Sequence, residues 1–313
     1  MTVGPPRPQW PEGKSFAFTI FDDPDAQVLK HSREIYALLD DLGFRTTKGV
    51  WPSGPLRDPN SPGDTCANKL YREDAIRLQE RGFEIGYHNN APHSSTRQEV
   101  IAGLDAFRDY FGHDPITMAN HYNRDAVYWG PARLGGWRRS VYRMMNFRVK
   151  PGQHAGHVEG DESFWGDVCR SRVRYCRNFV FREINTLRAC SFLPYHDPKR
   201  PFVNQWYASS EGSRCSTFTE MMAEAAQERL ESEGGACIMY THFGHGFIRN
   251  EKIDERFRKL MERLSRRNGW FVPVGTLLDY LRSQRGVDHV ISPTERSRME
   301  ARWLTLKVFR GTS

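Results

Sequence analysis

Short runs of aromatic and β-branched residues alternate along the chain with longer stretches whose apolar residues recur every three or four positions. "FAFTIF" at 16–21 precedes a helical pattern at 32–43. "FRTTKGVW" at 44–51 leads through a Pro/Gly-rich loop at 52–64 to a second helical pattern at 71–82, and "FEIGYH" at 83–88 leads to a third at 96–112. In that third segment Val100, Ile101, Leu104, Phe107 and Phe111 make an apolar stripe, and Thr96 with Glu99 fits a capping box. "ITMANH" at 116–121 is expected to be a fourth strand. Residues 123–215 break the rhythm, with many Arg, Trp and Tyr and a predicted strand at 178–187, "NFVFREINTL". The pattern then returns as helix 217–234, strand 236–243, helix 253–269, strand 270–275 and helix 276–286. Such an order predicts parallel strands joined by helices.

No internal repeat or abrupt change of composition divides the chain. The simplest architecture is one barrel-like α/β domain at 15–286 with an elaborated middle, an N-terminal extension at 1–14 and a C-terminal extension at 287–313. In such folds the loops at the carboxyl ends of the strands converge on one face, where ligands bind.

Composition narrows the picture only a little. The net charge is +7, yet Lys and Arg alternate with Asp and Glu in segments such as "EKIDERFRKLMERLSRR", as on solvated helix faces. No recognised nucleic-acid motif accompanies the charge, so nucleic acid ranks last among partners. The six cysteines form no Cys-x-x-Cys pair and are expected to be buried, reduced thiols. No run approaches about 18 apolar residues and the N-terminus has no apolar core behind a basic start, so a cytoplasmic protein without a membrane partner is expected.

The candidate chemistry sits at the predicted strand ends. Asp22 and Asp23 follow the first strand, His88 and His93 the third, His121 the fourth, and His242 with His245 the strand "ACIMYT". Two imidazoles and one carboxylate are a ligand set for a catalytic divalent metal, zinc above all. A second carboxylate can take a proton from water, and a histidine opposite can protonate a leaving group.

"FTIFDDPD" at 18–25 resembles the first motif of the polysaccharide deacetylases (carbohydrate esterase family 4, NodB-homology fold), Thr-Phe-Asp-Asp-Gly. "FEIGYHNNAPH" at 83–93 resembles the second, His-Ser/Thr-x-x-His, and "ACIMYTHFGHG" at 236–246 the closing strand that ends in His. The resemblance spans most of Ser15 to Leu281. It implies a distorted (β/α) barrel of about seven parallel strands and a divalent metal on Asp23, His88 and His93; His121, which follows the neighbouring strand, is the alternative third ligand. It further implies Asp22 as general base, His242 as general acid, and a backbone N–H near Tyr122 as an oxyanion donor. The implied activity is metal-dependent hydrolysis of a non-peptide carbon–nitrogen bond, deacetylating an N-acylated amino sugar or related carbohydrate.

The sequence departs from the pattern at several positions. His88 and His93 are five apart rather than four, Pro24 replaces the motif Gly, and "MANHYN" at 118–123 lacks the motif Arg that holds the base. Arg124, or Asn120 with His121, could serve in its place. Asn120, Tyr122 and Trp165 are candidate substrate contacts, with Trp206 competing for the aromatic wall. The Arg-rich middle, at 136–150 and 169–183, suits an anionic group on a carbohydrate or small amide substrate, or else faces solvent or a second copy of the chain in a homo-oligomer. A catalytically inactive carbohydrate-binding descendant of the same fold is the alternative function.

Overall fold

The computed structural model describes residues 8–145 and 153–313. Residues 1–7 of the N-terminal extension and 146–150 of the basic middle lie outside the described residues. In chain order the strands are β1 (Phe16–Asp22), β2 (Thr47–Val50), β3 (Glu84–Tyr87), β4 (Thr117–Met118), β5 (Tyr175–Phe181), β6 (Tyr195–His196), β7 (Gln205–Ser210) and β8 (Ala236–Thr241). A small hairpin of β9 (Ile248–Arg249) and β10 (Lys252–Ile253) follows, then β11 (Gly269–Phe271) and β12 (His289–Val290).

Seven of these close a parallel barrel in the order β1-β2-β3-β4-β5-β7-β8 and back to β1. The expected distorted barrel of seven strands is therefore what the chain forms. Every residue of β1 is buried, as expected of a strand covered on both faces. Its partners divide its length. β8 pairs with it from Ala17 to Asp22, while on the other edge β11 takes Phe16–Phe18 and β2 takes only Phe21–Asp22. Outside the ring, β6 runs antiparallel to β7 and β12 parallel to β6.

The helices are α1 (Leu29–Asp41), α2 (Lys69–Glu80), α3 (Arg97–Phe111), α4 (Gly136–Met145), α5 (Gly166–Arg172), α6 (Thr186–Ala189), α7 (Cys215–Met221), α8 (Glu224–Ser232), α9 (Glu255–Ser265), α10 (Val274–Arg285) and α11 (Pro293–Arg310). Helix α3 carries the expected capping box at Thr96 and Glu99 and ends on Gly112 at φ 79°. Its stripe of Val100, Leu104, Phe107 and Phe111 is buried, with Ile101 at the margin. Gly103 lies on that face. A Cβ there would strike the side chain of Asn90, so its absence lets the loop after β3 settle on the helix.

Several expected boundaries move. The helix expected at 217–234 is two, α7 and α8, because Ala223 is extended at ψ 154°. The expected strand at 116–121 keeps ladder pairing only at Thr117–Met118; the Asn120 side chain instead bonds both backbone groups of Val127 and starts a loop. At 178–187, β5 begins earlier and stops at Phe181, and Asn185 caps α6. The expected strand at 270–275 ends at Phe271, and Pro273 occupies the N-cap of α10.

The C-terminal segment packs inward. Ser292 and Glu295 form a capping box on α11, and Trp303 is fully buried 5.2 Å from Phe179 of β5. All six cysteines are free and buried. Among the described residues no helix is long and apolar enough to cross a membrane.

Candidate metal centre

The carboxyl ends of β1, β3, β4 and β8 bring titratable side chains to one face of the barrel. Asp22, the last residue of β1, is fully buried and faces inward. Its carboxylate accepts from Gln27 Nε2 (2.6 Å), Tyr36 OH (3.0 Å) and the Phe243 N–H (2.9 Å). Burial pushes it up to about 6 against the opposing pull of Lys48. Lys48 is itself fully buried, bonded to Gln27 and to Ser32 (2.9 Å), with the rings of Tyr36 and Tyr71 each 4.9 Å away. Asp22 thus belongs to a closed polar network beneath the face.

Asp23, one residue on, turns to the opposite side. Arg177 of β5 grips it with both terminal nitrogens, one bond measuring 2.9 Å, and both side chains are almost wholly buried. Arg177 also lies over the rings of Tyr240 (4.3 Å) and Phe21 (5.3 Å). This is the kind of arginine clamp missing from 118–123. Arg124 is engaged elsewhere, on Asp161 at 2.6 Å.

Pro24 carries the chain round, and Asp25 reaches the cluster that the two strand-end histidines approach. His121 Nε2 lies 3.0 Å from Asp25 Oδ1, and His88 Nε2 lies 3.2 Å from Asp25 Oδ2. Burial works to raise the Asp25 carboxyl, but the His121 and His88 imidazoles outweigh it and hold it well below the usual carboxylate range. Burial pulls His88 down, whereas Asp25 overcomes burial at His121 and raises it. Trp51 walls the pair, its ring 5.5 Å from His121 and 5.9 Å from His88.

Hydrogen bonds behind these residues fix their orientation. Asn123 donates its amide N–H groups to the carbonyls of Ala91 (2.9 Å) and His93 (2.7 Å), so its oxygen faces His121 Nδ1 at 2.8 Å. Nδ1 therefore carries the hydrogen, and the lone pair of Nε2 points at Asp25. Two acceptors 3.0 Å apart need a proton or a cation between them. His88, whose buried ring nitrogens have no well-aligned hydrogen-bond partner among the described residues, and Asp25 Oδ2, equally unbonded though 3.2 Å from His88 Nε2, present the same demand. The residues fit a divalent cation.

Asn89, between the strand and its loop, sits at φ 57°, a conformation asparagine tolerates. Its oxygen accepts the His121 N–H (2.8 Å) and its amide donates to Asp125 (2.6 Å), tying the His88 and His121 loops together. Across the mouth, His242 Nδ1 donates to the Ser213 carbonyl (2.8 Å), leaving Nε2 3.7 Å from Asp25 and 3.9 Å from Asp23.

Among the described residues, two sets of ligand-capable side chains have all their ligand atoms within 4.8 Å of one another, Asp25 with His88 and His121, and Asp23 with Asp25 and His242. Of the residues expected to hold metal, His88 and the alternative His121 lie in the first set and Asp23 in the second. His93 lies in neither; it is buried with Nε2 3.9 Å from Glu99. It lies in the loop ahead of α3, three residues before the N-cap Thr96. Asp25 was not among the expected ligands, although the sequence marks it as a third carboxylate two residues past Asp23.

The expected substrate contacts also separate. Trp165 is fully buried and donates to the Asp125 carbonyl (2.6 Å), and Asn120 is spent on Val127; neither offers a face to a ligand. Trp206 is likewise core. Tyr122 is 45% exposed at the mouth and donates to the Asn60 carbonyl. His245 stacks on His242, with ring centroids 4.9 Å apart.

No protein-family model matches the sequence, and no curated protein matches it. Solved structures do match in fold. A protein assigned as a polysaccharide deacetylase, from Mycobacterium smegmatis, aligns with TM-score 0.52 and 12% identity over 93% of this chain and 98% of its own. Puue allantoinase aligns with TM-score 0.54 and 11% identity over 91% of this chain and 96% of its own. The chain has the polysaccharide deacetylase fold.

Proposed function

We propose that the protein is a metal-dependent hydrolase of non-peptide carbon–nitrogen bonds, releasing acetate from an N-acetylated amino sugar or related carbohydrate. The observation that carries this reading is the buried Asp25–His88–His121 cluster, in which both imidazoles turn Nε2 on one carboxylate, at 3.2 and 3.0 Å, with Asp23 and His242 alongside. Those three residues would hold a divalent ion, zinc suiting the two-nitrogen, one-oxygen set. When bound, the ion would supply Lewis-acid polarisation of the amide carbonyl and lower the pKa of water beside it.

The chain's own groups divide the remaining work. Asp23, oriented by the two terminal nitrogens of Arg177, accepts the proton that the attacking water loses. His242, its Nδ1–H fixed by the Ser213 carbonyl, acts as an imidazolium and delivers the Nε2 proton to the departing amine as the carbon–nitrogen bond breaks, and the proton taken up by Asp23 restores it through solvent. Water adds across that bond, giving acetate and the free amine. Asp22 is read as the structural anchor of the β1 end, held with Lys48, and the base role passes to Asp23.

The test is metal content and acetate release measured on the same preparations. About one ion per chain, lost in Asp25→Ala, His88→Ala and His121→Ala, is expected. Asp23→Asn and His242→Gln should retain the ion and lose turnover. Full metal content in Asp25→Ala would overturn the ligand assignment. A metal-loaded wild type that releases no acetate from any N-acetylated sugar tested would overturn the substrate class.

A further inference from the structure

A cavity of about 760 Å³ lies away from the cluster, between the loop at 128–136, α4, the loop at 153–158 and the start of α11. Its volume is that of a small-molecule site. Six cationic side chains line it, namely Arg138, Arg139, Arg143, Lys199, Arg200 and Arg296, and Glu300 is its one acidic lining residue among those described. Glu300 accepts from Arg138 Nε (2.9 Å) and Arg200 (3.0 Å), and Asp197 pairs with Arg200 and with Arg296 (2.6 Å).

Arg139, Arg143 and Lys199 have no carboxylate partner among the described residues, and the sequence from 146 to 152, "NFRVKPG", contains no acidic residue that could supply one. Among the described residues Arg139 makes a single bond, Nε to the Leu134 carbonyl (2.9 Å), which leaves its terminal nitrogens for another acceptor. The surplus is felt by its neighbours. Burial, together with Arg139, His154 and Arg200, pushes His157 down to about 4. One side of the cavity is aromatic: Tyr128 and Trp129 line it, with the Tyr128 ring 4.4 Å from His157.

We propose that this cavity binds a phosphate-bearing small molecule, its phosphate held by Arg139, Arg143 and Lys199 and its apolar portion lying on Tyr128 and Trp129. Three unpaired cations in one place exceed what a single carboxylate neutralises, and guanidinium groups match phosphate oxygens in fork geometry. The site stands apart from the hydrolase reading. One wall does meet the loop that carries His121, since His154 Nδ1 donates to the Asn123 carbonyl (3.0 Å).

The test is calorimetric titration of the full chain with pyrophosphate and with a nucleoside diphosphate at fixed, near-physiological salt. Co-sedimentation with phosphatidylglycerol vesicles runs in parallel. Arg139→Gln/Arg143→Gln and Lys199→Gln change exposed side chains, and Lys259→Gln on α9 removes the same charge away from the cavity. Saturable binding weakened about tenfold or more in the first two, as expected for lost charge-assisted bonds, and unchanged in Lys259→Gln is the expected result. Binding of the soluble probes assigns the phosphate to a soluble ester; binding of vesicles alone, with the same variant pattern, assigns it to a lipid headgroup. No binding to any probe, or equal weakening in all variants, would overturn the proposal.

Discussion

Replacing Arg177 with Met should be among the most damaging single changes in this protein. The guanidinium is 2% exposed and its partner Asp23 3%, so removing one partner leaves a carboxylate buried without compensation. Losing one member of such a pair costs about 3–5 kcal/mol. Loss of the packing against Tyr240 and Phe21 adds to this, although Met refills part of the volume. Unfolding 313 residues at about 2.1 cal/mol/K each gives an entropy of roughly 0.66 kcal/mol/K, so about 4 kcal/mol lowers the melting midpoint by about 6 °C. The assay is thermal melting by circular dichroism on chelator-treated protein, because a bound cation beside Asp23 would mask the lost charge. Arg177→Met with Asp23→Asn should regain more than half of the loss, since the penalty belongs to the orphaned charge and not to the absent bond. A midpoint within about 1 °C of wild type for the single variant, or a double variant no better than the single, would refute the argument.

Three further outcomes follow from the same geometry. His93→Ala should keep the metal content of wild type, measured beside His88→Ala, because its ring faces Glu99 and not the cluster. Gly244→Ala should weaken metal binding at least about tenfold while leaving far-UV dichroism unchanged; a Cβ there lies 2.5 Å from the Asp25 carbonyl oxygen and must displace the loop that presents Asp25. Glu84 is buried, accepts from Thr47 (2.9 Å), Thr117 (2.5 Å) and the Gly275 N–H (2.7 Å), and burial raises it above its ordinary value. The folded state then holds this proton more tightly than the unfolded chain, so stability falls as pH rises from about 4.5 through the folded value. Urea unfolding against pH should show that decline in wild type and lose it in Glu84→Gln.

The barrel was legible because its strands are either continuous apolar runs, as at 16–21 and 236–240, or short runs ahead of well-capped amphipathic helices. Parallel pairing follows from that order alone. Boundaries slipped where side chains took over backbone bonding, as Asn120 does after Met118, or where a single residue such as Ala223 left helical geometry. The positions of His88, His121 and His242 at strand ends were readable by the same logic. Two features of the site were not. Arg177 lies in the middle of β5, 154 residues from Asp23, inside a stretch whose many arginines look alike in one dimension. Asp25 was hidden by spacing, because Pro24 sets it apart from Asp23 and the three neighbouring carboxylates serve separate partners, Gln27 and Tyr36 for Asp22, Arg177 for Asp23 and the two imidazoles for Asp25.

The shared edges of β1 bear on how the chain is made. Its longest pairing, with β8, waits for residues 236–241, and its lower edge waits for β11 at 269–271. During synthesis the first strand therefore leaves the ribosome with one side and much of the other unfilled, and most of the protein must follow before they close. Its exposed face in that interval is "FAFTIF", a β-prone run with no charge and no proline. The two aspartates at its end, with Lys14 just ahead of it, are then the nearest charges able to keep that waiting edge from pairing with another nascent chain. Residues that anchor the finished site would thus serve the unfinished molecule as gatekeepers.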